Sequence, residues 1–267
     1  LKFEQGKVGI VHRQLSETDR NGKLAGMAGP VINWCSKRTN GLTRFLLEMV
    51  AGVHRDAELP KYYRKTFNKI FAAKPKSDAR TSSRKAVIYT TCFINFNNPA
   101  IGEAAEKVLS KNGVDVEVAY PSCCGMPQLE QGNIGRVADD AKKIAVELVP
   151  WVDKGYDIIT LVPSCALMLK SEWPLILPED KKIRKISEAT FDISEYLINI
   201  SRHEGLTDGM ASIEGGVTVH LACHARAQNM GPKTVELLRL IPNTDVTVVE
   251  RCSGHGGLWG IKKENFG

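Results

Sequence analysis

Short apolar runs that end on cysteine recur along the chain, and they constrain its fold more than any other feature. Residues 86–92 (AVIYTTC) set the pattern, since β-branched residues favour a strand. Helical patterns separate the runs, which predicts parallel strands in right-handed βαβ units. Ligands of open parallel sheets bind beyond the carboxyl ends of the strands, so cysteines that follow such runs are predicted at a ligand-binding edge. Six of the seven cysteines do so: Cys92, Cys123, Cys124, Cys165, Cys223 and Cys252.

The predicted fold class is α/β, with two pseudo-symmetric Rossmann-like βαβ units that have parallel sheets, preceded by a mainly helical N-terminal segment. The predicted regions are 1–80 for that segment and its linker, 81–210 for the first unit and 211–267 for the second. Cys223 follows Cys92 by 131 positions and Cys252 follows Cys123 by 129, which indicates an internal repeat. The second unit has no counterpart of the strand before Cys165, so it is predicted to be incomplete and degenerate.

The predicted elements alternate after a polar linker at residues 74–84 (KPKSDARTSSR). Strands and helices follow from apolar periodicity and from the capping signals Asn98, Pro99 and Gly113. The predicted strands are 86–91, 114–120, 157–162, 216–221 and 245–250, and the predicted helices are 98–112, 135–149, 187–203 and 230–240.

The N-terminal segment is less informative. Residues 1–33 show no steady period, and Cys35 stands alone, which favours a thiol without a ligand role. Residues 42–53 have apolar side chains at helical spacing and therefore predict an amphipathic helix. Its apolar face has two interpretations: it packs on the protein's own core, or it docks on a partner or a membrane surface.

Composition narrows the functional classes. Hydrophobic residues make up 43% of the chain and charged residues 25%, as in ordinary globular proteins, and scattered lysine and arginine argue against nucleic-acid binding. No apolar run of about 18 residues and no export signal are visible, so we expect a cytoplasmic protein in a reducing compartment. There, cysteines indicate metal or redox sites before disulfides.

Four cysteines form the first predicted site: Cys92, Cys123, Cys124 and Cys165. Neighbouring strands lie about 4.8 Å apart, so thiolates at adjacent strand ends can converge on an iron–sulfur cluster or a tetrahedral zinc ion. Cys123 and Cys124 can both face one centre only in an irregular turn, for which Gly125 gives the backbone freedom. Buried structural cysteines and a catalytic thiol pair are the alternatives, although no Cys-x-x-Cys motif is present.

The second predicted site mixes cysteines with histidines, and Ser253 stands where a second cysteine is expected. Serine is a poor ligand for soft metals. Zinc or mononuclear iron with mixed ligands, an empty site with a structural histidine network, and a cluster completed by residues outside the chain are the alternatives. The candidate residues are Cys223, Cys252, His220, His224 and His255.

The spacing of these motifs resembles the cysteine-rich CCG domain of heterodisulfide reductases and related iron–sulfur proteins. TTCFINFNNPAIG, CCGMPQLEQGN and PSCALMLKSEWP are most similar to segments of the C-type subunits of anaerobic glycerol-3-phosphate dehydrogenases, and the resemblance covers about residues 20–267. It implies a 4Fe-4S cluster on Cys92, Cys123, Cys124 and Cys165. It also implies a subunit of a membrane-associated oxidoreductase that relays electrons from a flavin dehydrogenase to quinone or another acceptor.

Three functions remain open at this point. The first is the iron–sulfur electron-transfer subunit, whose expected partners are flavoprotein or ferredoxin-like subunits and, peripherally, the inner face of the cell membrane. The second is a zinc-binding structural or docking subunit, since four cysteines also suit zinc. The third is a cluster-based disulfide reductase, which Ser253 disfavours in the second unit.

Overall fold

A parallel four-stranded sheet organises the computed structural model, which describes residues 9–74, 84–252 and 260–266. The strand order is β2–β1–β3–β4, and each neighbouring pair is parallel. A separate parallel pair, β5–β6, belongs to the second predicted unit. The α/β class with parallel sheets is thus confirmed. The strands are β1 (Arg84–Tyr89), β2 (Val114–Ala119), β3 (Asp157–Thr160), β4 (Thr190–Asp192), β5 (Val217–His220) and β6 (Val246–Val249).

Helices fill most of the remaining described chain, including the N-terminal segment that was predicted to be mainly helical. Five precede β1: α1 (Ile10–Ser16), α2 (Thr18–Met27), α3 (Gly29–Ser36), α4 (Gly41–Ala51) and α5 (Phe67–Ala72). Those that follow are α6 (Pro99–Lys111), α7 (Met126–Glu130), α8 (Ile134–Asp153), α9 (Pro163–Leu167), α10 (Trp173–Ile176), α11 (Lys181–Glu188), α12 (Ile193–His203), α13 (Cys223–Ala227) and α14 (Lys233–Leu238), with π-helical segments at Phe93–Asn97 and Met168–Glu172.

Strand β1 lies between two hydrophobic cores. Val87 and Tyr89 pack in the core that contains α8 and α11, whereas Ala86 and Ile88 pack in the core that contains α12. All four side chains are fully buried. Helices therefore cover both faces of the sheet, as is usual for parallel strands, and the carboxyl edge is left to the loops.

The predicted helix at 187–203 is wrong at its start. Helix α11 ends at Glu188, β4 follows, and α12 begins only at Ile193. Asp192 causes this break, because its carboxylate accepts a hydrogen bond from the backbone N–H of Ser194 (2.8 Å) and caps α12. The other predicted elements are present with shifted ends. Residues 75–83 of the predicted linker lie outside the described residues, so the domain boundary stays a prediction.

Helix α4 turns its polar residues inward. Arg44 and Glu48 are buried, whereas the predicted apolar face is exposed, so the interpretation that this face packs on the protein's own core is wrong. Among the described residues, no helix is long and apolar enough to cross a membrane. The exposed side chains are Leu42, Phe45, Leu46, Met49 and Val50.

A polar network explains this inversion. The Arg44 guanidinium donates to the carbonyls of His54, Arg55 and Ala57 at 2.6–2.9 Å. Glu48 accepts from the Arg55 side chain (2.8 Å), and these hydrogen bonds from Arg55 hold the pKa of the carboxyl well below its usual range. The buried ions are therefore paired, and the network fixes which way α4 faces.

Replacing Arg44 with Met tests this network. The Arg44→Met variant leaves several carbonyls without their donor, so we expect its free energy of unfolding in urea to fall by about 3 kcal/mol. Leu42→Ser is the matched control on the exposed face of the same helix and should change stability by less than about 0.5 kcal/mol. Equal stability of the two variants would contradict the inverted packing of α4.

Candidate metal centre

Three strand ends bring four cysteines to one edge of the main sheet. Cys92 follows β1, Cys123 and Cys124 follow β2, and Cys165 follows β3. Since β1 lies between β2 and β3, the connections from β1 diverge here, and such a switch in strand order opens a crevice at the carboxyl edge. The structure thus places all four residues of the first predicted site in one crevice.

The four sulfurs form two close pairs. The Sγ atoms of Cys92 and Cys123 lie 3.8 Å apart, and those of Cys124 and Cys165 lie 3.1 Å apart. Cys123 also exchanges a side-chain hydrogen bond with Cys124, which joins the pairs into one continuous group. In the described part of the chain, no three His, Cys, Asp or Glu side chains are placed as a preformed site for a metal ion.

The Cys-Cys-Gly turn is fixed by three local features. Gly125 has a φ of +91°, a conformation that residues with a Cβ rarely adopt, which confirms its predicted backbone role. The indole of the buried Trp173 donates to the carbonyl of Cys124 (3.0 Å). The hydroxyl of Tyr89 donates to the carbonyl of Ser122 (2.6 Å). These contacts anchor the turn to the core beneath the sheet edge.

Helical turns carry the other two cysteines. Pro163 opens α9, where its missing N–H is harmless, and Cys165 is buried in that first turn. Cys92 immediately precedes the π-helical segment Phe93–Asn97, and Thr91 accepts a hydrogen bond from the backbone N–H of Ile94 (3.1 Å). Cys124 and Cys165 thus form the buried side of the group, and Cys92 and Cys123 form its half-buried side.

The sulfurs differ in acidity. Hydrogen bonds from Cys124 and then Cys92 lower the pKa of the Cys123 thiol well below its usual value. The same hydrogen bonds with Cys123 raise the pKa of Cys92 and of Cys124 well above theirs, and burial adds to both increases. Burial first, and then the nearby thiols, raise the pKa of Tyr89, so its hydroxyl remains a donor. Negative charge in the group therefore concentrates on Cys123.

The donor set fits a thiolate-bound metal group. Several thiolates in one buried space repel one another, so full deprotonation needs a positively charged centre among them. Cysteine thiolates are the preferred ligands of iron–sulfur clusters and of structural zinc. The residues therefore suit either group, and the choice between them depends on metal chemistry rather than on fold.

Sequence reasoning missed the N-terminal residues that cover this group. The Thr18 hydroxyl donates to the Cys123 sulfur (3.3 Å), and Tyr120 donates to the Asp19 carboxylate (2.6 Å). Thr18 and Cys123 are 105 positions apart, and residues 1–33 show no steady period. The sequence therefore held no signal that would place Thr18 at the site.

The second predicted site is less assembled. Strands β5 and β6 pair in parallel with His220 beside Val249, so Cys223 and Cys252 follow adjacent strand ends, and both are exposed. The His220 ring contacts the carbonyl of Arg251 (2.6 Å) rather than a cysteine. His255 and Ser253 lie outside the described residues. Metal binding here stays a prediction.

Helix α13 of the second unit packs on α9 of the first. The His224 ring nitrogen Nδ1 lies 2.8 Å from the hydroxyl of Ser164, and the Gln228 amide donates to the carbonyl of Pro163 (3.3 Å). Ser164 is the neighbour of Cys165. His224 therefore supports the loop of the first site, which was not predicted.

Known proteins share these features. The sequence profile of the cysteine-rich CCG domain matches residues 86–170. The chain is 28% identical over 274 residues to the C-type subunit of anaerobic glycerol-3-phosphate dehydrogenase from Escherichia coli strain K12, covering 99% of this chain but 66% of that relative. It is 28% identical over 188 residues to lactate utilization protein A of Bacillus cereus strain G9842, covering 67% of this chain and 75% of that relative.

No solved structure matches the chain significantly. The family match contains all four cysteines of the first site, and the match to the dehydrogenase subunit extends over both predicted units. The resemblance inferred from cysteine spacing is therefore confirmed. Through residues 86–170, the chain belongs to the cysteine-rich CCG domain family.

Proposed function

We propose that this protein is an iron–sulfur electron-transfer subunit of an oxidoreductase complex. The observation that carries the proposal is the convergence of Cys92, Cys123, Cys124 and Cys165 at the switch point of a parallel sheet. These cysteines would hold a 4Fe-4S cluster, which would supply a one-electron carrier. The name of the relative in Escherichia coli, a dehydrogenase subunit, supports the same class of function.

The surroundings of the cysteines suit a relay rather than a substrate site. Cys124 and Cys165 are buried against the core, where water is excluded, whereas Cys92 and Cys123 lie at the half-buried side. A redox partner can therefore approach from that side without entering the protein. The proposed partners are a flavin-containing dehydrogenase subunit or a ferredoxin-like donor on one side, and quinone or another acceptor on the other.

The second unit has a supporting role in this proposal. The contacts of His220 with Arg251 and of His224 with Ser164 favour a structural histidine network over a metal site with mixed ligands. Helix α13 would then brace the loop that carries Cys165. A zinc or mononuclear iron site on Cys223 and Cys252 remains the alternative for this unit.

Replacing Cys124 with Ser tests the proposed cluster. The full chain, purified and reconstituted without oxygen, should contain about four irons, whereas Cys124→Ser should retain less than about one, because a ligand is lost. Cys35→Ser is the matched control, since Cys35 lies on α3 outside the cysteine group. Iron, sulfide and zinc are quantified by chemical analysis, and reduction is followed by EPR.

The same measurement separates the competing functions. Stoichiometric zinc without iron in the unmutated chain would contradict the relay and favour the zinc-binding docking subunit. Equal iron in the Cys124→Ser and Cys35→Ser variants would also contradict the proposed ligand set.

A second part of the proposal concerns the membrane. We define the apolar face as the exposed large apolar side chains of α2, α3 and α4, helices that contact one another in sequence. Several of these side chains are more than half exposed, and polar residues occupy the buried side of α4 instead. The apolar face comprises Leu24, Met27, Val31, Trp34, Leu42, Phe45, Leu46, Met49 and Val50.

Charge indicates which surface this face would contact. Residues 20–65 contain nine of the 36 lysines and arginines but only three of the 30 aspartates and glutamates, so they carry the whole net charge of +6. Lys37 and Arg38 are exposed between α3 and α4. Apolar side chains bordered by positive charge favour the interface of an anionic membrane. The proposed occupant is therefore an anionic lipid surface, contacted peripherally.

Vesicle binding tests the apolar face. The Met49→Ser/Val50→Ser variant should bind vesicles of equal parts phosphatidylcholine and phosphatidylglycerol about tenfold more weakly than the unmutated chain, because two buried apolar contacts are lost. Val146→Ser/Leu175→Ser, which changes exposed apolar residues on α8 and α10, is the matched control. Co-sedimentation is the measurement, and high salt should weaken binding.

Two results would contradict the membrane contact. Equal vesicle binding by both double variants would exclude the apolar face as the lipid-binding surface. Absence of vesicle binding by the unmutated chain would leave the face to a protein subunit instead.

A further inference from the structure

The first turn of α2 lies directly against the cysteine group. Thr18 is the first residue of this ten-residue helix, and its hydroxyl donates to the Cys123 sulfur at 3.3 Å. Cys123 is the member of the group that holds negative charge most readily. A hydroxyl donor and the positive end of a helix dipole thus face the same sulfur.

Contacts on both sides of Thr18 hold it in place. The Gln128 amide, which is buried, donates to the hydroxyl and the carbonyl of Ser16 at 3.2 and 3.3 Å and to the carboxylate of Glu17 at 3.2 Å. The Tyr120 hydroxyl donates to Asp19 (2.6 Å), and burial raises the pKa of Tyr120, so it keeps its proton. The chain before and after Thr18 is therefore attached to residues that flank the Cys-Cys-Gly turn.

Close helix packing adds to this attachment. A Cβ added to Gly22 would lie 2.2 Å from a ring carbon of Phe96, which belongs to the π-helical segment after Cys92. Phe96 in turn packs edge-on against Tyr120, with ring centroids 5.5 Å apart. Helix α2 thus approaches the site as closely as glycine permits, and the Thr18 hydroxyl has little freedom to move away.

A fixed donor to a ligand sulfur affects redox states unequally. Adding one electron to an iron–sulfur group makes its sulfurs more negative, so a donated hydrogen bond and a helix N-terminus stabilise the reduced state more than the oxidised state. The Thr18 proton stays on its oxygen throughout, and no covalent bond forms or breaks. The expected consequence is a higher reduction potential.

We infer that Thr18 is a positioning residue whose hydroxyl, held against Cys123 by the first turn of α2, raises the reduction potential of the metal group on the four cysteines. This inference rests on the proposed function, since it requires a redox-active group at that site. It assigns the N-terminal segment a direct role in tuning the relay, beyond covering it.

An EPR-monitored redox titration of the reconstituted full chain tests this role. Thr18→Val keeps the shape of the side chain but removes the donor, so its midpoint potential should be lower than that of the unmutated chain, at unchanged iron content. Thr18→Ser keeps the donor and should titrate like the unmutated chain. Thr43→Val removes a hydroxyl donor in α4, far from the sulfurs in sequence, and should also leave the potential unchanged.

Tyr120→Phe provides a second variant. It removes the partner of Asp19 and loosens the first turn of α2, so it should lower the potential in the same direction as Thr18→Val. Circular dichroism checks that each variant is folded.

Two results would overturn the inference. One is an unchanged potential in Thr18→Val and Tyr120→Phe with full iron content. The other is loss of iron from folded Thr18→Val, which would make the hydroxyl a requirement for binding rather than for tuning. Absence of iron from the unmutated chain would instead overturn the proposed function.

Discussion

The convergence of three parallel strand ends is the constraint on which the rest of this structure depends. Cys92, Cys123 and Cys165 are far apart in the chain, and only the order β2–β1–β3 brings them to one crevice. Strand β1 is buried on both faces, so the position of this edge is fixed by the two cores. Anchored loops then aim the sulfurs at one another, which places the most charge-sensitive chemistry on the most rigid part of the fold.

The N-terminal segment connects this crevice to the surface. Helix α2 reaches Cys123 through Thr18, and α2, α3 and α4 present the apolar face to solvent. The buried pair Arg44 and Glu48 sets the orientation of α4, which directs its apolar side outward. One segment thus combines contact with the proposed redox group and the surface proposed to contact lipid, which suits a subunit that passes electrons at a membrane.

The parallel α/β fold and the four-cysteine group were predictable because their signals are local and repeated. Each strand is a β-branched run, and each cysteine follows such a run, so the sheet edge follows from topology rules alone. Strand β4 was not predictable, since three residues between two helices give no periodicity, and only Asp192 marks the break. The outward apolar face of α4 depends on distant carbonyl partners of Arg44, and the Thr18 contact joins residues that no spacing rule relates.

Anomalous diffraction at the iron edge, from crystals of the full chain prepared without oxygen, tests the central claim most directly. We expect iron peaks within about 2.3 Å of the sulfurs of Cys92, Cys123, Cys124 and Cys165, a metal–sulfur bonding distance. Iron bound elsewhere, or an anomalous signal at this site only above the zinc edge, would contradict an iron–sulfur relay at the switch point of the sheet.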